Sequence, residues 1–235
     1  MYQTLSSKKT VTVIIPAYNE RNTISSLVEI VRSHPDVEEV IVVDDGSGDD
    51  TARLAQEAGA RVIRHARNRG KATAMDNGVN EAKTDILFFI DGDVFGITHE
   101  MMSTALWQVM NYKADMYALI VDRGNYIPAW LVRMLPLLSG IRVMRKEIWK
   151  TVPQKFKNYF QIELALNYFV SRNGLLTSSE VMPGLHHVVK EKKRGVLWGM
   201  YQRAFMIRDI IFVLIKLQVA ERAKSSLRLV TFKKK

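Results

Sequence analysis

Two carboxylates one residue apart close an apolar run in "ILFFIDGDVFG" (86–96), where Leu87 to Ile90 lead into Asp91, Gly92 and Asp93. Such a pair raises its own pKa values unless a cation compensates. Hard oxygen donors of this kind suit Mg²⁺ or Mn²⁺. Gly92 removes side-chain bulk, so a phosphate can approach the backbone closely. A solvated Asp-Gly turn is the plain alternative. A second acidic pair, Asp44 and Asp45 in "VIVVDDGSGDDT", precedes a Gly-Ser turn and a helix. It can cap that helix, or one carboxylate can accept a hydrogen bond from a nucleobase N–H. Lys71 in "RNRGKATAMDNGV" opens a helical stretch after Gly70, and a helix N-terminus with a lysine is an anion site.

The elements that must hold these groups alternate. The runs "VTVII" (11–15), "VIVVD" (40–44), "ARVIR" (60–64) and "ILFFI" (86–90) read as short strands, the second and fourth buried on both faces. Between them the pattern predicts helices over 22–34, with Ile24, Leu27, Val28 and Val31 on one face, over 49–59, and over 70–83. This alternation predicts an α/β fold of right-handed βαβ units around a mostly parallel sheet flanked by helices. Ligands then lie beyond the carboxyl ends of the strands. "PAYNE" (16–20), with Pro16 ending the first ladder, the Asp44–Asp45 pair and Asp91-Gly92-Asp93 all meet that one edge. Further along, 116–122, 141–145 and 175–183 read as strands, and 160–174 and about Leu197 to Arg228 as helices.

Composition narrows the function. The 235 residues are 47% hydrophobic and 25% charged, as in an ordinary folded chain, and hold no cysteine, so disulfides and thiolate metal sites are excluded. Lys190 to Lys235 carries 13 Lys and Arg against 3 acids, which accounts for the whole net charge of +10. A neutral body with a basic C-terminal segment points to an anionic surface rather than to nucleic acid as partner. In that segment Gln202, Asp209 and Lys216 form a narrow polar stripe on an otherwise apolar helix. Such a helix lies in a membrane interface or packs on protein. The N-terminus, "MYQTLSSKKT", has no apolar core and does not read as a signal peptide.

The four motifs "VTVIIPAYNE", "VIVVDDGSGDDT", "RNRGKATAMDNGV" and "ILFFIDGD", in this order over residues 11 to 93, resemble an inverting nucleotide-sugar glycosyltransferase of family 2, with the GT-A (Rossmann-like) fold. The resemblance implies a UDP- or GDP-sugar donor held by Pro16, Ala17, Tyr18, Glu20, Asp45, Gly70, Lys71, Asp91 and Gly92, with Asp44 supporting the loop. It also implies Mg²⁺ or Mn²⁺ on Asp91 and Asp93, the second acid closest to the ion and catalytic. A metal acting as Lewis acid neutralises the departing diphosphate.

"LLSGIRVMRKEIWK" (137–150) resembles the Ser-Gly segment of polyprenyl-phosphate sugar synthases and the Leu-Ser-Gly of glucosyl-3-phosphoglycerate synthases. Both act on phosphate-bearing acceptors, so Ser139, Gly140, Arg123 and Arg142 are the implied acceptor residues, the arginines through bidentate contacts. Glu163 is the implied acceptor-side acid, a catalytic base if the acceptor is a hydroxyl. His187, in preference to His186, is the implied third metal ligand. The sequence departs from the synthases in having Val94 and Phe95 where many place a Gln after the acids. The leading acceptor is a polyprenyl phosphate; a phosphoglycerate-like molecule or a glycan hydroxyl is the alternative. An aspartate-nucleophile phosphatase would want a hydroxyl after Asp93, and the neutral first 189 residues and absence of an aromatic-basic signature argue against a non-catalytic nucleic-acid-binding protein.

The expected organisation is a flexible segment 1–10, a GT-A domain over 11–195 with a donor half (11–95) and an acceptor half (96–195), and a basic helical extension over 196–235. The expected setting is cytoplasmic, peripheral at the inner face of a membrane, with homo-oligomer formation left open.

Overall fold

The computed structural model describes residues 11–121, 139–157 and 162–187, all within the first of two units, Met1–Val188 and Val189–Lys235. Arg123, the segment 1–10 and the C-terminal helix expected over Leu197 to Arg228 lie outside the described residues.

Among the described residues, seven strands form one sheet in the order β3-β2-β1-β4-β7-β6-β8. They are β1 (Val11–Ala17), β2 (Val37–Asp44), β3 (Arg61–Arg64), β4 (Ile86–Phe89), β6 (Met116–Val121), β7 (Arg142–Arg145) and β8 (Thr177–Met182). β1 pairs in parallel with β2 and β4, β2 with β3, and β6 with β8. Only β7 runs the other way, antiparallel to both β4 and β6. β5 (Val94–Phe95) and β9 (His186–His187) make a separate antiparallel ribbon.

The reversal of β7 matters for the site. Parallel strands bring their carboxyl ends, Ala17, Asp44 and Phe89, to one edge, whereas an antiparallel strand brings its beginning there. Arg142 therefore pairs with Phe89, and the residues before it, Ser139 and Gly140, arrive beside Asp91. β1 also runs further than expected. Its pairing with β4 stops at Ile14, so at Pro16 it pairs with β2 alone among the described strands, and the ladder continues through Pro16 to Ala17. A missing N–H is tolerated where a strand has lost one partner.

The helices follow from their apolar stripes. Ile24, Leu27, Val28 and Val31 are the buried residues of α1 (Ile24–Arg32), as the spacing predicts. α2 (Thr51–Glu57) and α3 (Lys71–Glu81) fall inside the expected spans. α3 lies very close to the sheet because its inward face is small. A Cβ on Gly78 would stand 2.5 Å from Ile14 Cγ2, so only glycine fits. α3 is tied at its other side through Asp76, which accepts hydrogen bonds from Trp149 Nε1 (2.7 Å) and Lys157 Nζ (2.9 Å). Trp149 belongs to α5 (Lys146–Thr151), and α6 (Ile162–Arg172) follows within the predicted 160–174.

α4 (His99–Met110) was not foreshadowed by the motifs. Its signals are local: Thr98 caps it by accepting from Met101 N, and Met102, Ala105, Leu106 and Val109 are buried at helical spacing. α4 meets α1 through two histidines. His34 is 1% exposed; its Nδ1 accepts from Asp36 N (3.2 Å), so the neutral ring carries its proton on Nε2, 2.9 Å from Ser103 Oγ. The His99 ring stands edge-on to it at 5.2 Å. Burial pulls the His34 pKa below its ordinary value, with Asp36 opposing the fall.

The sign follows. The unfolded chain takes up a proton near pH 6.5 while folded His34 stays neutral, so this stability is present above that pH. It is lost as pH falls towards the lower folded value. Melting curves between about pH 7.5 and 5.5 should therefore show a steeper fall in Tm for the native protein than for His34→Gln. Parallel curves would rule His34 out as the titrating group.

Candidate functional site

The Asp-Gly-Asp turn is built under the first loop. A Cβ on Gly92 would lie 3.3 Å from Ala17 Cβ, from Glu20 Cγ and from the Pro16 carbonyl, so the glycine lets the turn tuck beneath "PAYNE". Thr23 Oγ1 donates to the Gly92 carbonyl at 2.6 Å and fixes the middle of the turn. Thr23 escaped the sequence reading; its one signal is its place just before the first helix. The loop itself is laced to the second one. Asn19, at φ +58°, receives Gly48 N on its side chain (3.0 Å) and gives its own N–H to Ser47 Oγ (2.9 Å). Glu20 N donates to Thr51 Oγ1 and Asp45 N to the Ala17 carbonyl, while Tyr18 is 47% exposed at the rim.

The two acids of the second loop have distinct jobs. Asp45, expected to face the base, is committed to the chain. Its Oδ1 accepts from Arg69 N (2.8 Å) and from His65 Nδ1 (2.7 Å), and its Oδ2 accepts from Gly70 N (2.8 Å). Asn77 Nδ2 donates to His65 Nε2 (2.7 Å), so His65 carries its proton on Nδ1 and donates it to Asp45. Asp45 thereby clamps the turn that begins α3, where Gly70 has φ +91°. Asp44 is fully buried. Its Oδ1 accepts from Ser47 N (3.1 Å), while its Oδ2 has an ion-pair contact with Arg64 Nε at 3.2 Å but no aligned hydrogen bond.

A partly buried charge cluster ties the start of α3 to the Asp-Gly-Asp turn and to α6. Lys71 Nζ stands 2.6 Å from Asp91 Oδ1 and 2.8 Å from Glu163 Oε1. Burial pulls the Lys71 ammonium down, but the carboxylates of Asp91 and Glu163 outweigh it and raise its pKa above the ordinary range, so it is charged. Gly140 closes the wall: a Cβ there would run into the Asp91 carboxylate and stand 2.5 Å from Lys71 Nζ. Ser139 Oγ donates to the Leu119 carbonyl (2.5 Å) and holds this segment on β6.

Arg142 lies behind the cluster and is fully buried. Its Nε donates to the Ser139 carbonyl (2.5 Å), and its Nη1 to Asn167 Oδ1 (3.2 Å) and towards the Glu163 carbonyl (3.5 Å). Burial lowers its pKa to about 10, with Glu163 and Asp91 opposing the fall, so it too is charged at neutral pH.

On the other side Asp93 meets the ribbon. His187 Nδ1 is 3.0 Å from Asp93 Oδ1, and one donor atom from each of Asp91, Asp93 and His187 can be chosen so that all lie within 4.8 Å of one another. Two carboxylate oxygens and an imidazole nitrogen, partly exposed at a sheet edge, form a donor set that suits a divalent ion such as Mg²⁺ or Mn²⁺. His186 turns instead towards Phe95, ring to ring at 5.4 Å. The described residues thus bring Asp44, Lys71, Asp91, Asp93, Gly140, Glu163 and His187 to one edge.

The family model for glycosyl transferase family 2 matches residues 12–159. The chain belongs to glycosyl transferase family 2. Over 105 residues the family-2 chain is 35% identical to 4,4'-diaponeurosporenoate glycosyltransferase of Staphylococcus aureus (strain bovine RF122 / ET3-1). That match covers 43% of this chain and 28% of the relative's length. Among solved structures, the fold is similar to glucosyl-3-phosphoglycerate synthase from Mycobacterium tuberculosis in complex with Mn²⁺, UDP and phosphoglyceric acid. The TM-score is 0.73 at 23% identity, over 89% of this chain and 78% of that one. The complex of the same synthase with Mg²⁺ and UDP gives 0.65 at 23% identity, over 78% and 73%. At this identity the likeness establishes the fold, which is GT-A.

Proposed function

We propose that this family-2 chain is the catalytic domain of a metal-dependent glycosyltransferase that moves a sugar from a UDP-sugar to a phosphate-bearing acceptor, a polyprenyl phosphate in the leading reading. The observation that carries it is the meeting of Asp91, Asp93 and His187 at the strand edge that also holds Asp44 and Lys71. Asp91, Asp93 and His187 would hold Mg²⁺ or Mn²⁺, which supplies Lewis-acid neutralisation of the leaving diphosphate. The chain's own groups do the rest. Asp44 Oδ2 offers one acceptor site once Arg64, whose side chain is 62% exposed, swings aside. One such oxygen suits a base with a single N–H on its pairing edge, as in uracil, better than the two adjacent N–H groups of guanine. Asp45 keeps the Gly70 turn in place, so that Lys71 faces the diphosphate with a fixed positive charge.

Glu163 stands on the acceptor side, and Arg142 supports it from below through the Glu163 carbonyl. For a phosphate acceptor, already anionic, Glu163 positions; for a hydroxyl acceptor it takes the proton. Arg123 remains a candidate for the acceptor's phosphate. Of the relatives, one is named for diaponeurosporenoate, and one of the two solved structures holds phosphoglyceric acid. The basic segment from Lys190 onward favours a lipid-borne acceptor at an anionic, cytoplasmic membrane face, which the chain would meet peripherally. No helix among the described residues is long and apolar enough to cross a membrane.

The test is a panel of UDP- and GDP-sugars with Mg²⁺ or Mn²⁺, assayed with polyprenyl phosphate and with 3-phosphoglycerate. Metal-dependent transfer from a UDP-sugar to the lipid phosphate is expected. Transfer to 3-phosphoglycerate alone would move the acceptor to the alternative reading. No metal-dependent binding or turnover of any nucleotide sugar would overturn the proposal.

A further inference from the structure

Lys71 stands in a place that a metal site should not leave to a lysine. Its ammonium is 2.6 Å from an oxygen of Asp91, one of the three candidate metal ligands, and 2.8 Å from Glu163 on the acceptor side. Its backbone is held, so the ammonium can leave only by turning its side chain. Gly70, the residue before it, is pinned by Asp45, and the Gly140 backbone closes the space on the other side. The side chains of Lys71, Asp91 and Glu163 are 23%, 18% and 8% exposed, so water screens this cluster only in part. Two cations drawn to one carboxylate in such a setting repel each other strongly.

We infer that Lys71 is a latch between the two half-sites. Paired with Asp91 and Glu163 together, it opposes binding of a bare divalent ion. A diphosphate arriving with its metal offers Lys71 a new anionic partner. Lys71 then leaves Asp91 to the metal, and the same movement uncovers Glu163 Oε1 for the acceptor. Donor and metal bind as one unit, and the acceptor carboxylate becomes available only after them. Lys71 acts through Asp91 and Glu163 as a positioning residue, in addition to any contact with phosphate. The inference rests on the reading of Asp91, Asp93 and His187 as the metal site.

The experiment measures Mn²⁺ binding to the intact chain by electron paramagnetic resonance of the free ion, with and without UDP. The variants are Lys71→Met and Lys71→Gln; the second keeps an N–H donor for Asp91 and Glu163, and thermal melts establish that each is folded. Mn²⁺ alone should bind the neutral variants more tightly than the native protein, by about threefold to tenfold, because the competing charge is gone. UDP should strengthen Mn²⁺ binding to the native protein and do so less in the variants. Adding Asp93→Asn to Lys71→Gln should abolish the gain, placing it at this site. A lysine that only supports the fold, or only touches phosphate, would leave Mn²⁺ binding unchanged or weaker, and that result overturns the latch while leaving the metal site standing. Absence of Mn²⁺ binding to the native protein even with UDP overturns the metal site itself, and the latch with it.

Discussion

Asp93→Asn should lower metal-dependent sugar transfer by about a hundredfold to a thousandfold while leaving the fold intact. The amide keeps the size of the side chain but loses the charge that a divalent ion needs. Lewis-acid stabilisation of a departing diphosphate is worth several kcal/mol, and each 1.36 kcal/mol is about tenfold in rate. Asp93 sits at the turn into the β5–β9 ribbon, with its side chain 19% exposed and His187 Nδ1 3.0 Å away. The measurement pairs initial rates at saturating Mn²⁺ with a thermal melt. Undiminished rates would remove Asp93 from the site. A rate loss that tracks a large fall in Tm would mean the residue acts through structure.

Arg142→Met should instead destabilise the protein by about 3–5 kcal/mol, since removing one partner leaves buried charge uncompensated. The cluster holds two carboxylates, Asp91 and Glu163, against two cations, Lys71 and Arg142. Methionine fills much of the space but leaves the Ser139 carbonyl without the donor 2.5 Å away. At roughly 2–4 °C per kcal/mol for a chain of this size, Tm should fall by about 10 °C. Arg142→Lys should recover only part of it, because an ammonium cannot reproduce the planar fork that reaches Ser139 and Asn167 together. An unchanged Tm with a raised KM for the acceptor would show that Arg142 holds the acceptor directly, as its place in the "SGIR" motif suggests.

These two residues illustrate how differently the site was written into the chain. Asp91 and Asp93 were visible as a pair of carboxylates closing an apolar run, and the motifs beside them turned a choice between a solvated turn and a metal grip towards the second. The pairing of Asp44 with Asp45 was equally visible, but the division of labour between them was not. Which acid clamps the Gly70 turn depends on His65, Arg69 and Asn77, whose approach no spacing in the sequence reveals. Thr23 was silent for the same reason: its contact with the Gly92 carbonyl spans 69 positions.

The sequence by itself determined the strand–helix alternation of the first half and the edge where three polar loops meet. These follow from short-range periodicity and from the rule that parallel strands present their carboxyl ends together. Only the tertiary structure decided what stands opposite. β7 enters the sheet reversed and so delivers Gly140 and Arg142 to Asp91. β9 returns His187 to Asp93 across 94 positions, and α6 brings Glu163 to Lys71 across 92. Strand direction and such distant meetings are set by the packing of the whole sheet, which no local pattern of residues encodes.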